Sequence, residues 1–525
     1  VRYCRVSKSP AGSNSEKDER MRLSHFLAGA SVGVCAAGLA FPAMAQTVPP
    51  AAPASAAAPT ETLREAMVKA YNTNPDLSGE RANLRATDED VPIARSSGLP
   101  GVSSNAGYNE NLHNSDNSGL TAPRQGSAGL SLSVPVFSGG AVRNSVRAAE
   151  TRVEAGRAGL RSVESQLFTD VVAAYLDVIR DEAIVGLNQQ NVRVLEVNLQ
   201  ATRDRFEVGD LTRTDVAQSE ARLALAQSQL RGVEAQLIGS RENYIRVVGS
   251  PPGELAPPPS LPNMPAGPDQ AVGAALEENP ALDAAKRARD ASAFDVNVAR
   301  AGRLPQVSVG VNGDYYNRFG SIPGPGRAAG LANDGFATSA GVNLTLPLFQ
   351  GGRPAAQVRQ AQARQSAGVE QVSAPERGVI AQTRSAYAVW QSALRVIESS
   401  KLAVSANRLS LEGVRAENSV GTRTILDILN AEQELLNSQV QLVTAERDAY
   451  VAGFAVLAAM GRAEAQDLGL DGGPLYDPVA NYDRVRRSIS DWRDDPTPEP
   501  QATSTTGTPA QTPVVSGPID PAPPR

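Results

Sequence analysis

The sequence predicts a mainly α-helical chain that also carries membrane β-strands, and three observations predict it. First, one stretch occurs twice: Val208–Glu220 reads VGDLTRTDVAQSE and Val420–Glu432 reads VGTRTILDILNAE, so that Gly209, Thr212, Asp215 and Glu220 recur 212 positions later as Gly421, Thr424, Asp427 and Glu432. The same offset carries Tyr175 onto Tyr387 and Gly249 onto Gly461, while upstream an offset of 205 carries Asn74-Pro75 onto Asn279-Pro280. A period this long exceeds that of solenoid repeats, which is about 20–50 residues. The chain is therefore a tandem duplication of one domain-sized unit. Second, each copy contains segments in which apolar residues alternate with small or polar ones. Third, each is followed by a stretch long enough for a helix of exceptional length.

Residues 1–45 form an upstream extension and a signal peptide. Met21, Arg22 and His25 lead into the apolar run Phe26–Phe41, closed by Ala43, Met44 and Ala45, so the mature chain is expected to begin near Gln46. The run is too short for an anchor, which needs about 20 apolar residues. Residues 46–60 are a Pro/Ala linker. Repeat 1 spans 61–260 and repeat 2 spans 261–470, each with the order short helix, helix, β-hairpin, long helix, helix. Leu63, Ala66, Met67 and Ala70 share one face of the first short helix. Helices follow over Leu77–Ser97 and Leu282–Gly302, and Pro92 is expected to kink the first.

The period then changes to two. Ala128, Leu130, Leu132 and Val134 alternate with Ser127, Gly129, Ser131 and Ser133; Val307, Val309 and Val311, and later Val342, Leu344, Leu346 and Leu348, alternate with Ser, Gly, Asn and Thr. This is the pattern of outer-membrane barrel strands, and it also fits a half-buried hairpin of a soluble domain. Two hairpins supply too few strands for a barrel, which needs about eight. If they enter a membrane, several chains must share one barrel.

From Ala141 to Phe206 no proline intervenes, and Val142, Val146, Ala149, Val153, Gly156, Leu160, Val163 and Leu167 step by four and three as a heptad seam. Such a helix is a rod of about 99 Å. Its copy, Ala355–Glu417, contains Pro375, where a kink is expected. Thr212–Val248 and Leu77–Ser97, laid end to end beside the rod, nearly match its length. Where they meet, the short helices and the Pro-rich connector Pro251–Pro268 can wrap as a girdle.

Composition removes whole classes of function. Cys4 and Cys35 both lie in the expected signal region, which excludes disulfides and thiol chemistry from the mature chain. Residues 1–45 carry a net +3, so their removal takes the formal charge from −6 to −9, which argues against nucleic acid. His113 is then the sole histidine, and His-based catalysis and metal clusters are excluded by count. No cofactor and no catalytic residue is expected. An aromatic content of 4% leaves little for a ligand pocket.

With the repeated turn, the alternating hairpins, the rods and the girdle in place, the chain to about Arg487 resembles the TolC family of outer-membrane factors. The second turn, Val420, Gly421, Thr422, Arg423, Thr424 and Asp427, carries the most specific match, and the segment 471–495, with Leu475, Tyr476, Asp477, Pro478, Asn481 and Tyr482, looks like the family's C-terminal equatorial segment. The resemblance implies a homotrimer without catalysis: a duplicated long-helix α-barrel tunnel in the periplasm plus a 12-stranded transmembrane β-barrel shared by three chains, set in outer-membrane lipid. It implies an exit duct of a tripartite efflux pump or type I secretion system. The partners it implies are a periplasmic adaptor and an inner-membrane transporter of RND, ABC or MFS type. The alternative from another class is a non-channel periplasmic coiled-coil scaffold. Residues 496–525 read as a disordered tail, and Trp492 as a local anchor.

Site residues divide between chemistry and resemblance. Thr212 with Asp215 and Thr424 with Asp427 fit capping boxes at helix starts, and Arg423 stands i, i+4 from Asp427. By resemblance, Thr214, Asp215, Asn418 and Arg423 match a periplasmic gate, with Asn418 where the family can place a tyrosine. Asp427 and Asn430 match a pore constriction ring in which Asn430 replaces a carboxylate. Val208, Gly209, Val420, Gly421 and Thr422 match the contact with the adaptor tip, where Asp210 departs from the family's usual residue.

Overall fold

The computed structural model describes residues 60–113, 121–470 and 475–515; the expected signal peptide, Cys4, Cys35, nearly all of the Pro/Ala linker and the last ten residues of the tail lie outside them. Repeat 1 runs α1 (Leu63–Thr73), α2 (Pro75–Ser96), β1 (Gly101–Glu110), β2 (Arg124–Phe137), α3 (Ala141–Glu207) and α4 (Arg213–Val248). Repeat 2 runs α5 (Pro268–Glu278), α6 (Pro280–Ala301), β3 (Gln306–Asn317), α7 (Gly324–Ala328), β4 (Asp334–Thr345), α8 (Arg353–Ser419) and α9 (Ile425–Met460), and α10 (Ala480–Val485) follows. The short α7 sits in a stretch that reads as loop in the sequence. β4 stops before Leu348, the end of its alternation, because Pro347 has no amide hydrogen to extend the ladder.

Local chemistry sets the helix boundaries. Thr62 opens α1 with a capping box to Glu65. Asn74 opens α2 by accepting from the amides of Asp76 and Leu77, and Pro75 follows at the first helical position, where no amide is needed. Asn279 and Pro280 repeat this at α6. Each asparagine also donates backward: Asn74 Nδ2 to the Val247 carbonyl at 3.2 Å, and Asn279 Nδ2 to that of Ala459 at 3.0 Å. These bonds weld α2 to the end of α4 and α6 to the end of α9, which is the end-to-end strut the lengths predict. The long rods α3 and α8 are each 67 residues. Pro92 lies inside α2 and Pro375 inside α8, and both helices run on through them. In α3 the seam residues Ala149, Val153, Leu160 and Leu167 are buried.

The four strands form one antiparallel sheet in the order β1-β2-β3-β4. Its register aligns Val102, Leu132, Val311 and Ala340 in one row and Val134, Val309 and Val342 in another. Between these rows Gly101, Ser133, Gly310 and Gly341 line up on the opposite face, as do Ser103, Ser131, Asn312 and Ser339 on the other side of the first row. One face is thus apolar across all four strands, yet Val102 is 67% and Val342 73% exposed. Among the described residues, β1 and β4 each keep one edge without a strand partner.

The main core lies at the middle of the rods, where Phe168, Val171, Tyr175, Leu237, Tyr244 and Phe454 are buried with α1. Glu61 is its hub. Its carboxylate accepts from Tyr244 Oη at 2.9 Å, Lys69 Nζ at 2.7 Å and the Gly253 amide at 3.2 Å, while Tyr175 Oη donates to its backbone carbonyl. Tyr387, the copy of Tyr175, donates to the Ala266 carbonyl, so each repeated tyrosine fastens a rod to its connector. The segment after the repeats clamps the same region. Arg81 lies between the rings of Tyr71 and Tyr476, Asn481 donates to the buried Asp88, and Arg157 lies over Tyr482. Trp492 is 95% exposed, which corrects its reading as an anchor: it lies beyond α10, the last helix, and meets no core. Farther on, the amide of Gln511 donates to Glu242, and Arg241 donates to the carbonyls of Thr512 and Val514.

One carboxyl here makes stability depend on pH. Burial pushes Glu464 up from 4.5 to about 7, partly offset by Arg161 at 3.6 Å and reinforced by Asp467 and Glu164. The native state therefore binds more protons than the unfolded chain between pH 4.5 and about 7, and stability falls as pH rises through that window. Glu464→Gln is expected to flatten the fall and to raise stability at pH 7.5 by about 2 kcal/mol. Melting of wild type and variant in detergent across that range checks it; an unchanged pH profile would contradict it.

Candidate functional site

The repeated turns close the far ends of the two helical hairpins, α3/α4 and α8/α9. Both end their first helix in the same way. Gly209 has φ of +83° and Gly421 +81°, conformations that L side chains rarely adopt. In each, the glycine amide and the next amide bond back to carbonyls of the last helical turn: Gly209 to Phe206 and Asp210 to Arg205, Gly421 to Asn418 and Thr422 to Glu417. A Cβ at either glycine would meet nothing within 4 Å. Glycine is required there by conformation, not by crowding, and the tip is open to a partner.

Both second helices start with capping boxes, as the sequence predicts. Asp215 Oδ2 accepts from the Thr212 hydroxyl at 2.7 Å and amide at 2.9 Å; Asp427 Oδ2 accepts from the Thr424 hydroxyl at 2.8 Å and amide at 3.0 Å. These bonds to threonine hold both carboxyls below the usual range, so both are ionised at neutral pH. Thr214 is exposed, one residue before Asp215.

Arg423 keeps the helical pairing that its spacing predicts and adds a closer partner. Its Nη1 stands 4.0 Å from Asp427, whereas its Nε donates to Glu417 Oε2 at 2.7 Å. Glu417 is the partner that sequence reasoning missed. Repeat 1 fastens the equivalent turn with reversed charge, Arg205 to Asp210 at 2.6 Å, and Arg205 is the copy of Glu417; that inversion was the available signal. Asn418 donates to the Arg423 carbonyl at 2.7 Å and so holds the turn itself. Asn430, one turn beyond Asp427, accepts from Arg222 Nη2 of α4 at 2.7 Å. Val208 and Val420 stand at the tip with exposures of 80% and 74%.

No helix of the described residues is long and apolar enough to cross a membrane, and no cluster of metal-ligating side chains occurs among them. The arrangement offers an apolar-faced sheet at one end, rods of about 100 Å, and an exposed polar tip at the other.

Comparison with known proteins agrees with this form. The outer membrane efflux protein family matches residues 66–250 and 271–462, one match per repeat. The chain is 34% identical to the outer membrane efflux protein BepC of Brucella suis over 82% of its own length and 91% of that protein's. It is 27% identical to the outer membrane protein TolC of Escherichia coli over 80% and 86%. The CmeC outer membrane channel of Campylobacter jejuni shares the fold, with a TM-score of 0.68 at 16% identity over 82% of this chain and 90% of that one. Two halves matched by one family, an apolar-faced sheet and long rods leave no support for a non-channel scaffold. The chain belongs to the outer membrane efflux protein family and is an exit duct of the outer membrane, with its helical part in the periplasm.

Proposed function

We propose that three copies of this chain assemble into one duct, with twelve strands closing a barrel in the outer membrane and the rods lining a tunnel. The observation that carries this reading is the open-edged, four-stranded sheet whose apolar face is exposed. Four strands cannot close alone, since barrels have about eight or more, and an uncovered apolar face of this extent calls for lipid. The unpaired edges of β1 and β4 are the surfaces through which copies join.

At the tip, Thr214, Asp215, Asn418 and Arg423 form the gate, held by polar links between neighbouring hairpins. Asp427 supplies a ring of three carboxylates that binds cations weakly, because Asn430 adds no charge to it. Val208, Gly209, Val420, Gly421 and Thr422 receive the tip of a periplasmic adaptor, which connects the duct to an inner-membrane transporter of RND, ABC or MFS type. The duct is passive and the transporter supplies the energy. Support for these residue roles is the exposure of Thr214, Arg423, Val208, Val420 and Thr422 at the tip, the half-buried place of Asp215, Asn418 and Asp427 beside them, and the open space around both turn glycines. Sedimentation of detergent-solubilised protein from outer membranes tests the assembly. A mass of three chains is expected, and a monodisperse single chain would overturn it.

A further inference from the structure

The tip is made of two helical hairpins, and the bonds that hold each hairpin are distinct from those that join them. Near the turns, side-chain bonds run within hairpins: Arg203 to Glu220, Arg205 to Asp210 and Thr202 to Ser219 in the first; Arg415 to Glu432, Arg423 to Glu417 and Asn407 to the Glu434 carbonyl in the second. Among the described residues of this region, one side-chain hydrogen bond crosses from one hairpin to the other, Arg222 Nη2 of α4 to Asn430 Oδ1 of α9. It lies beside the apolar contact between the same hairpins, where Leu429 is buried among Val192, Leu195 and Ala226. Asn430 is about 9 Å along α9 from the cap at Thr424, so the crossing point sits just inside the tip.

We propose that Arg222 and Asn430 form a clasp that holds the two hairpins of one chain together and must part when the tip opens. The inference rests on the reading of the tip as a gate, and adds to it a pair that lies outside the turns. Position and chemistry support it. Leu429 supplies adhesion without direction, since apolar contacts tolerate sliding, whereas a guanidinium donor on an amide oxygen fixes register. The pair also explains Asn430: it provides an acceptor that engages an arginine without adding charge. The duplication places Glu434 at the position equivalent to Arg222, so the clasp belongs to repeat 1 alone and crosses in one direction. Arg222 is a positioning residue for the gate.

The test is single-channel recording in planar bilayers of wild type, Arg222→Ala, Asn430→Ala, the double variant, Asn430→Asp, and Arg423→Ser. Arg222→Ala and Asn430→Ala are each expected to raise the open-to-closed ratio roughly fivefold, the weight of one net hydrogen bond. The double variant is expected to match the singles, because all three lack the same bond. Asn430→Asp keeps the acceptor and is expected to hold the closed state at least as firmly as wild type while the added ring charge strengthens cation block, an outcome that a general loosening of α9 would not give. Additive singles, or singles like wild type while Arg423→Ser opens the pore, would overturn the clasp and leave the gate reading standing. Opening by the clasp variants but not by Arg423→Ser would support the clasp and remove Arg423 from the gate. Pores unchanged in every variant would overturn both.

Discussion

Gly461→Ala is expected to destabilise the helical part by about 3–4 kcal/mol, the sum of left-handed strain and overlap with a neighbouring backbone. Gly461 ends α9 with φ of +81°. A Cβ there would fall on the Glu278 carbonyl, 2.6 Å from its carbon and 3.0 Å from Asn279 Cα. Those atoms belong to the junction of α5 and α6, which Asn279 already welds to Ala459 and which Arg462 pins through Glu278 at 2.6 and 3.0 Å. Backbone so tied cannot move aside as the end of a flexible side chain could. Gly421→Ala supplies the control. Its φ is the same, nothing lies within 4 Å of the added carbon, and the loss should be only about 1 kcal/mol. Melting followed by circular dichroism in detergent compares the two. Equal losses would mean that the close approach to Glu278 carries no weight.

What the sequence made legible was short-range. Each tip turn is specified within a few residues: a glycine that tolerates positive φ, a threonine and an aspartate three apart, and the start of the next helix. Absence of proline announced α3, and alternation announced the sheet and its apolar face. The duplication doubled these signals, which is why a turn of modest specificity could be read at all.

What was not legible was long-range and polar. Asn74 and Asn279 were visible as helix starts, but their donation to Val247 and Ala459 joins residues 173 and 180 positions apart. Glu61, at the edge of the linker, gave no sign that Tyr244 and Lys69 would converge on it. Arg423 is the short-range exception: it keeps Asp427 at 4.0 Å, a standard helical spacing, and the turn folds Glu417 closer still, marked only by the reversed charge of repeat 1. Asn430 was readable only as a missing carboxylate until the packing of α4 on α9 brought Arg222 to it. In each of the long-range cases one partner is fixed by the fold, and no local pattern marks it.

The second large effect is functional and falls on Arg423. Its guanidinium is half exposed, uses Nε on Glu417, holds Nη1 4.0 Å from Asp427, and has further N–H donors in its fork. In the proposed trimer that fork is what a neighbouring hairpin meets, and Asp215, ionised in the first turn of α4, is the acceptor it suits. Serine at this position keeps a small polar side chain and removes both the charge and the reach. The capping box of Thr424 and Asp427 does not depend on Arg423, so the helix start should survive the change.

The measurement that tests the account most directly is therefore single-channel conductance of the purified protein, wild type beside Arg423→Ser, in planar bilayers. The account predicts discrete pores that are small in wild type and larger in the variant, which would place the duct in the membrane and its gate at this turn. Folded, membrane-inserted protein that conducts in neither form would contradict it.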